Sequence, residues 1–269
     1  MKREDAVKLS EDSLADLAMS LAEGRSESLT EYLDAMSRFH AYSFGNCLLI
    51  AKQRPTATLV AGFHAWKKRG RSVKKGERGI CILAPMTRRA DDSEDETKKV
   101  FGYRAVHVFD VSQTEGEELP DISRIGGDPG DALARLYTAT TRLGIEVLVE
   151  DCLDGADGVS MGGKIALLRG LSPAAAFCTL AHELAHEFLH RGEDRKTLSK
   201  TVKELEAESV AYVVSRSVGL ENALAQSSDY IQCHGGDKEL LEASLRRIQK
   251  TAAEIIERLD EVAEAVAVA

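Results

Sequence analysis

Two histidines spaced one helical turn apart constrain this 269-residue chain more than any other feature. They stand in the run His182-Glu183-Leu184-Ala185-His186, and the apolar stretch before them begins at Ser172-Pro173. Serine is a strong helix N-cap and proline is favoured at the first helical position, so the pattern predicts a helix over 173–190. Residues four apart share one helix face, and two imidazoles placed in this way can bind one metal ion.

Glu183 is predicted to act beside the metal ion rather than on it. It lies about 100° around the helix from His182. A carboxylate in that position can take a proton from a metal-bound water, which is the general-base role in metalloproteases. The pattern therefore predicts a zinc site that contains His182 and His186, with a zinc-activated water that hydrolyses peptide bonds and Glu183 as the catalytic residue.

The third metal ligand has to come from another part of the chain, because a catalytic zinc ion usually takes three protein ligands. A helical stretch downstream, Lys203–Tyr212, contains Glu204, Glu206 and Glu208. A helical glutamate after the two histidines resembles the pattern of the gluzincin metallopeptidases. This resemblance implies Glu204 as the third ligand and Glu208, one turn later, as the residue that orients an imidazole. Glu206 points elsewhere on the helix and remains an alternative third ligand.

Other residues near this motif are weaker candidates for the site. His190 follows His186 by four residues, but the elongated three-histidine motif needs a glycine and a different spacing. Tyr230 and His234 are of the residue types that stabilise an oxyanion. Lys164–Leu168 is predicted to be an edge strand that pairs with an extended peptide.

The charge of the chain is unevenly distributed. The net charge is −9, yet residues 35–90 hold twelve Lys or Arg residues and one acid, Glu77. The same window contains five aromatic residues, which are Phe39, Tyr42, Phe44, Phe63 and Trp66. Cationic grooves with aromatic faces bind single-stranded nucleic acid, although this composition also fits a solvated surface over an aromatic core. The residues predicted to contact single-stranded DNA are Tyr42, Asn46, Arg54, Trp66, Lys67, Lys68, Arg69, Arg71, Lys74, Lys75 and Arg78.

The order of the predicted elements indicates an α+β fold with two domains. An N-terminal domain at 1–120 is predicted to be helical, with a small antiparallel sheet that includes a long hairpin around the acidic run 91–96. A stretch rich in Gly and Pro predicts a linker at 121–130. The remaining domain, 131–269, is predicted to be zincin-like, with the HExxH helix and a short sheet whose hairpin turns at Gly162-Gly163.

The N-terminal part resembles the ArdC-type antirestriction family. The matching runs are Tyr42-Ser43, Asn46, Leu49-Ile50, Pro55-Thr56-Ala57, Gly62-Phe63, Trp66-Lys67, Gly70, Val73–Glu77, Gly79-Ile80 and Val108–Gly116. Members of this family join an N-terminal ssDNA-binding domain to a zinc metallopeptidase domain. The resemblance therefore implies ssDNA binding by the basic domain, and zinc bound by His182, His186 and the downstream glutamate. The second domain is also similar to the ImmA/IrrE-type proteases.

These patterns predict a DNA-associated zinc metalloprotease of the ArdC type, with single-stranded DNA and a protein substrate as its partners. Two alternatives remain open. One is an antirestriction protein whose ssDNA binding protects without proteolysis, and the other is an ImmA/IrrE-like protease that cleaves a repressor. In the family, such proteins are carried on mobile elements.

Nothing in the sequence predicts export or membrane insertion. No apolar run approaches the ~20 residues that cross a bilayer, and the N-terminus has no apolar signal segment. A cytoplasmic location is expected, with the cysteines reduced.

Overall fold

The structure, a computed structural model, describes residues 2–23, 27–89, 98–117, 128–191, 198–220 and 238–268. The helices are α1 (Arg3–Ala22), α2 (Glu27–Arg38), α3 (Phe44–Gln53), α4 (Phe63–Lys68), α5 (Ala132–Arg142), α6 (Pro173–Leu189), α7 (Lys200–Ser217) and α8 (Lys238–Val268). The strands are β1 (Val60–Gly62), β2 (Arg71–Val73), β3 (Ile80–Arg89), β4 (Lys98–Asp110), β5 (Thr114–Gly116), β6 (Glu146–Glu150), β7 (Gly158–Ser160) and β8 (Lys164–Leu168). The α+β class predicted from the sequence is confirmed.

The chain divides into two compact units. The first unit consists of Met1–Leu17 and Gly45–Asp121, and the second unit consists of Ala18–Phe44 and Ile122–Ala269. The second unit therefore includes residues 18–44, which the sequence analysis placed in the N-terminal domain.

Helix α2 shows why this segment belongs to the second unit. The helix buries one apolar face and packs against α7. Its Asp34 carboxylate accepts hydrogen bonds from the Tyr212 hydroxyl at 2.9 Å and from Arg216 Nε at 3.1 Å, both on α7. Helical periodicity reveals an apolar face but not the surface that covers it, so the sequence did not indicate this partner.

The first unit is built around an antiparallel sheet in the order β1-β4-β3. β3 and β4 form the long hairpin that the sequence predicts. Helix α3 satisfies the outer edge of β3 with two amide side chains. Asn46 donates to the Leu83 carbonyl at 2.9 Å and accepts from the Leu83 N–H at 2.8 Å. Gln53 makes the equivalent pair of bonds with Cys81.

Asp110 is the last residue of β4 and is almost completely buried. Its carboxylate accepts hydrogen bonds from the backbone N–H groups of Thr58, Leu59 and Ser112, and from the Ser112 hydroxyl. Burial on its own raises the pKa of this carboxyl, but the hydrogen bonds outweigh burial and hold the pKa below its usual value. Asp110 therefore acts as an ion that joins its own segment, 110–112, to the segment that contains Thr58 and Leu59.

The second unit combines helices with a sheet in the order β6-β8-β7. β6 is parallel to β8 and β7 is antiparallel to it. The prediction that Lys164–Leu168 forms an edge strand is wrong, because this strand, β8, is central. The β7–β8 hairpin has a local sequence signal, whereas a parallel partner placed earlier in the chain leaves none.

Two serine caps begin the helices of the second unit that carry the HExxH motif and the downstream glutamates. Ser172 accepts a hydrogen bond from Ala175 N at the start of α6, and Ser199 accepts one from Val202 N at the start of α7. The predicted helix over 173–190 is therefore confirmed. No helix within the described ranges combines the length and apolar character needed to cross a membrane.

Asp110→Asn is expected to lower the free energy of unfolding by roughly 2–3 kcal/mol, because an amide leaves part of the donor set unpaired. Folding lowers the pKa of Asp110, so its stabilisation is present above the pKa of an unfolded Asp, about 4, and is lost as the pH falls through the folded value. The difference between variant and wild type should therefore shrink in acid. Urea unfolding followed by Trp66 fluorescence measures this difference at neutral and acid pH.

Glu115→Gln is the matched control, because Glu115 is an exposed acid in the same unit. It should change stability little. If both variants unfold at the same urea concentration at neutral pH, the role given to Asp110 is wrong.

Candidate metal centre

Helices α6 and α7 bring two imidazoles and one carboxylate together. His182 Nε2 and His186 Nε2 are 3.1 Å apart, and each lies 3.5 Å from Glu204 Oε2. Their ligand atoms all fall within 4.8 Å of one another. The two histidines come from successive turns of one helix face, as the sequence predicts, whereas Glu204 reaches them through the packing of α7 on α6.

Both histidines are in the neutral form that a metal ligand requires. Burial lowers the pKa of His182, although the charge of Glu204 acts in the opposite direction. Burial, followed by repulsion from His182, lowers the pKa of His186 to about 4. The rings therefore present unprotonated nitrogens at neutral pH.

The donor set fits a divalent transition metal. Two imidazole nitrogens and one carboxylate oxygen are ligands that zinc accepts, and a catalytic zinc site adds no further protein ligand. The Glu204 side chain is 50% exposed, so the cluster is open to solvent on the carboxylate side.

Glu183 lies next to this cluster and faces strand β7. The Ser160 backbone N–H donates to its carboxylate, and burial raises the pKa of Glu183 to about 7, with the charges of Glu204 and Glu187 acting in the same direction. Gly158 allows this close approach, because a Cβ atom there would lie 2.9 Å from Glu183 Cγ. The carboxyl is thus held beside the cluster at a pKa suited to proton transfer.

The structure places Glu206 away from the histidine pair. Glu206 is fully buried, pairs with Arg247 of α8, and lies 3.9 Å from His190 Nε2. The same His190 nitrogen lies 3.2 Å from the Lys203 carbonyl oxygen. Of the two glutamates that the sequence left open as third ligand, Glu204 is therefore the one beside His182 and His186.

Glu208 lies close enough to His182 for its charge to act against the lowering of the imidazole pKa. This position is compatible with the predicted role of Glu208 in orienting a histidine, which stays a prediction. Tyr230 and His234, the candidates for oxyanion stabilisation, lie outside the described residues.

Glu187 is a residue of the site that the sequence analysis missed. Its side chain is buried and accepts hydrogen bonds from Ser160 Oγ at 2.6 Å and from the N–H groups of Gly162 and Gly163 at 2.7 Å each. These bonds outweigh burial and keep the pKa of Glu187 below its usual value. Glu183 and Glu187 share one face of α6 and both hold β7, so an acid one turn after Glu183 was the available signal.

The predicted DNA contacts fall into different environments. The side chains that are exposed in the first unit belong to Lys67, Lys68, Arg69, Lys74, Lys75 and Arg78. Trp66 is fully buried, and its indole N–H donates to the Phe109 carbonyl at 2.8 Å. A ring in that position has no face free for a nucleic-acid base.

Of the four other predicted contacts, three have side chains that are hydrogen-bonded within the first unit, and one residue lies in the second unit. Asn46 satisfies the edge of β3, Arg54 donates to the Ser112 hydroxyl, and Arg71 donates to Thr114 of β5. Tyr42 belongs to the second unit, where its carbonyl accepts from Gln249. The composition of a sequence window does not reveal which of its polar side chains form hydrogen bonds within the folded protein.

Glu187→Gln is expected to lower the free energy of unfolding by roughly 1–3 kcal/mol, because an amide turns one donor toward the N–H groups of the glycine turn. Amide hydrogen exchange at Gly162 and Gly163 should become faster. Glu146→Gln is the matched control, since Glu146 lies on β6, in the sheet that contains the β7–β8 hairpin, and makes an exposed salt bridge with Lys164. Unchanged exchange in Glu187→Gln would contradict the anchoring role.

Sequence comparisons match part of the chain to an ArdC family model and most of it to one curated protein. Residues 18–109 match the family model described as the N-terminal domain of anti-restriction factor ArdC. An uncharacterized protein of Bacillus anthracis is 25% identical over 287 residues, an alignment that covers 87% of this chain and 48% of that protein. The chain therefore spans about half the length of this relative.

Crystal structures of the antirestriction ArdC protein from plasmid R388 are similar to the chain. The metal-free structure has 22% sequence identity and a TM-score of 0.56, with 94% of this chain and 98% of that chain covered. The Mn(II)-bound structure has 21% identity and a TM-score of 0.47, with 85% and 97% covered. The predicted resemblance is therefore confirmed for one region and for the fold: residues 18–109 match the model of the ArdC N-terminal domain, and the chain shares the fold of a solved ArdC protein.

Proposed function

We propose that this chain is a DNA-associated zinc metallopeptidase. The observation that carries the proposal is the convergence of His182, His186 and Glu204, with Glu183 held beside them. A structural zinc site has no need of a buried carboxyl next to its ligands, whereas peptide hydrolysis does.

His182, His186 and Glu204 would hold the zinc ion. When bound, the ion supplies Lewis acidity, which polarises a peptide carbonyl and lowers the pKa of water. Glu183 takes the proton from the attacking water on its carboxylate and passes it to the leaving amine nitrogen. Its pKa of about 7 lets the carboxyl both accept and release a proton near neutral pH.

Strand β7 supports the binding of an extended substrate. It is an edge strand among the described strands, and its Ser160 N–H points to Glu183 rather than to β8. An extended peptide can add to such an edge through main-chain hydrogen bonds. We therefore propose β7 as the strand that pairs with an extended substrate, in place of β8, with the scissile bond beside Glu183.

Single-strand DNA binding is the second part of the proposed function. The family model supports a DNA-related role for residues 18–109. The first unit exposes six of the predicted cationic side chains, and α4 adds Phe63, which is 52% exposed. Phe63 and Lys67 are one helical turn apart, so an aromatic ring and a cation share one face of α4.

A second candidate function is favoured by the family description, which names an anti-restriction factor. In this alternative, the chain protects DNA by coating it, and proteolysis is not required. A restriction-protection assay on transferred DNA separates the two, because Glu183→Gln would keep protection if coating alone suffices. The similarity of the second domain to ImmA/IrrE-type proteases, and with it repressor cleavage, stays a prediction.

Glu183→Gln is expected to abolish peptide cleavage, with a loss of at least about 100-fold, while zinc affinity is retained, because the variant removes a proton acceptor and no ligand. Cleavage of a degenerate peptide library by the zinc-loaded protein measures activity, and isothermal titration with zinc measures binding. Glu208→Gln is a useful companion, since it should weaken zinc binding and leave the proton acceptor intact. Full activity in Glu183→Gln would disprove the mechanism.

Replacing Lys67, Lys68 and Lys75 together by Ala is expected to weaken ssDNA binding. The slope of log affinity against log salt should fall by about 2, because each phosphate contact to a single strand contributes about 0.7. Fluorescence anisotropy of a labelled oligonucleotide across a salt series gives both values. Lys52→Ala is the matched control, since Lys52 is exposed in the same unit but pairs with Asp16. An unchanged slope in the triple variant would place the DNA elsewhere.

A further inference from the structure

The β3–β4 hairpin of the first unit exposes two aromatic rings on one strand. Phe101 is 65% exposed and Tyr103 is 48% exposed, and Val100 beside them is also exposed. Rings of this size usually contribute their area to a core or an interface. An exposed apolar cluster on a strand marks an interaction site, because keeping it in water costs free energy.

The backbone around Phe101 departs from regular pairing. Gly102 pairs with Met86 and Val100 pairs with Thr87, so Phe101 is an extra residue that has no Cα partner on β3. A bulge of this kind re-aims side chains and occurs often beside functional sites. β1 pairs only with residues 108–110 of β4, so in the described part of the chain residues 98–107 have no second neighbouring strand.

Strands β3 and β4 contain five basic residues and, apart from the buried Asp110, no acidic residue. Their basic residues are Arg88, Arg89, Lys98, Lys99 and Arg104. The run 91–96, which connects the strands in sequence, is acidic and lies outside the described residues. Stacking on the Phe101 and Tyr103 rings does not depend on this charge, because it acts on the faces of the bases rather than on the phosphates.

We propose that Phe101 and Tyr103 form a base-stacking platform for single-stranded DNA. The proposal rests on the DNA-binding function proposed above and names the surface that receives the bases. A single strand exposes the π faces of its bases, and each face can stack on an aromatic ring without regard to sequence. Of the two aromatic contacts expected from the sequence, Trp66 is buried and Tyr42 belongs to the second unit, so we assign the stacking role in the first unit to the rings of β4.

The test is fluorescence anisotropy of a fluorescein-labelled oligothymidylate and of its duplex with oligoadenylate, across a salt series. The double variant Phe101→Ala/Tyr103→Ala is expected to bind oligothymidylate at least about tenfold more weakly. The salt slope should not change, because no phosphate contact is lost. The Lys67, Lys68 and Lys75 variant should show the opposite pattern, with a smaller slope.

Two further variants keep the experiment interpretable. Phe101→Tyr/Tyr103→Phe preserves both rings and should bind like the wild type. Thr87→Ala, at an exposed position of β3, is the matched control and should also bind like the wild type. Because Trp66 is buried in the same unit, its fluorescence and its urea unfolding curve show that each variant is folded.

The outcomes separate this platform from the broader function. If the wild type binds oligothymidylate and the double alanine variant binds equally well, the platform is disproved while DNA binding stands. If the variant loses single-strand and duplex binding to the same extent, the rings do not stack on bases and the platform is again disproved. If the wild type binds no oligothymidylate at any salt concentration, both the DNA-binding function and the stacking platform are disproved.

Discussion

The packing of α7 against α6 is the interaction on which the metal centre depends. Two ligands, His182 and His186, are set one turn apart by helix geometry alone, but Glu204 belongs to another helix. Small residues, among them Ala181, Ala185 and Ala207, are fully buried on the two helices and permit a close approach. The distances of 3.5 Å from Glu204 to both imidazoles are therefore a product of core packing rather than of local sequence.

The three glutamates of α7 take different positions because each residue turns the helix by about 100°. Glu204 and Glu208, one turn apart, face the histidine helix, whereas Glu206 is about 200° from Glu204 and is buried against Arg247 of α8. A fully buried carboxylate needs such a partner, because an unpaired charge is costly to remove from water. The Arg247 contact thus helps to fix the rotation of α7 that presents Glu204 to the metal ligands.

Local patterns in the sequence predicted much of the second unit, whereas contacts between distant segments were not predicted. The capped helix with its HExxH motif, the β7–β8 hairpin and the α+β class follow from caps, turn residues and periodicity. The parallel pairing of β6 with β8 and the attachment of α2 to α7 join distant segments and leave no local signal. The burial of Trp66 and Asn46 shows the same limit, because a cationic, aromatic window does not reveal which residues the fold itself consumes.

X-ray absorption at the zinc edge of the zinc-loaded protein tests the central claim most directly, because it counts ligand types around the bound ion. We predict two imidazole nitrogens and one carboxylate oxygen from the protein, with the oxygen contribution changed in Glu204→Gln and retained in Glu206→Gln. A shell that contains sulfur or a number of histidines other than two would contradict the site. A spectrum that responds to Glu206→Gln and not to Glu204→Gln would contradict the assignment of the third ligand.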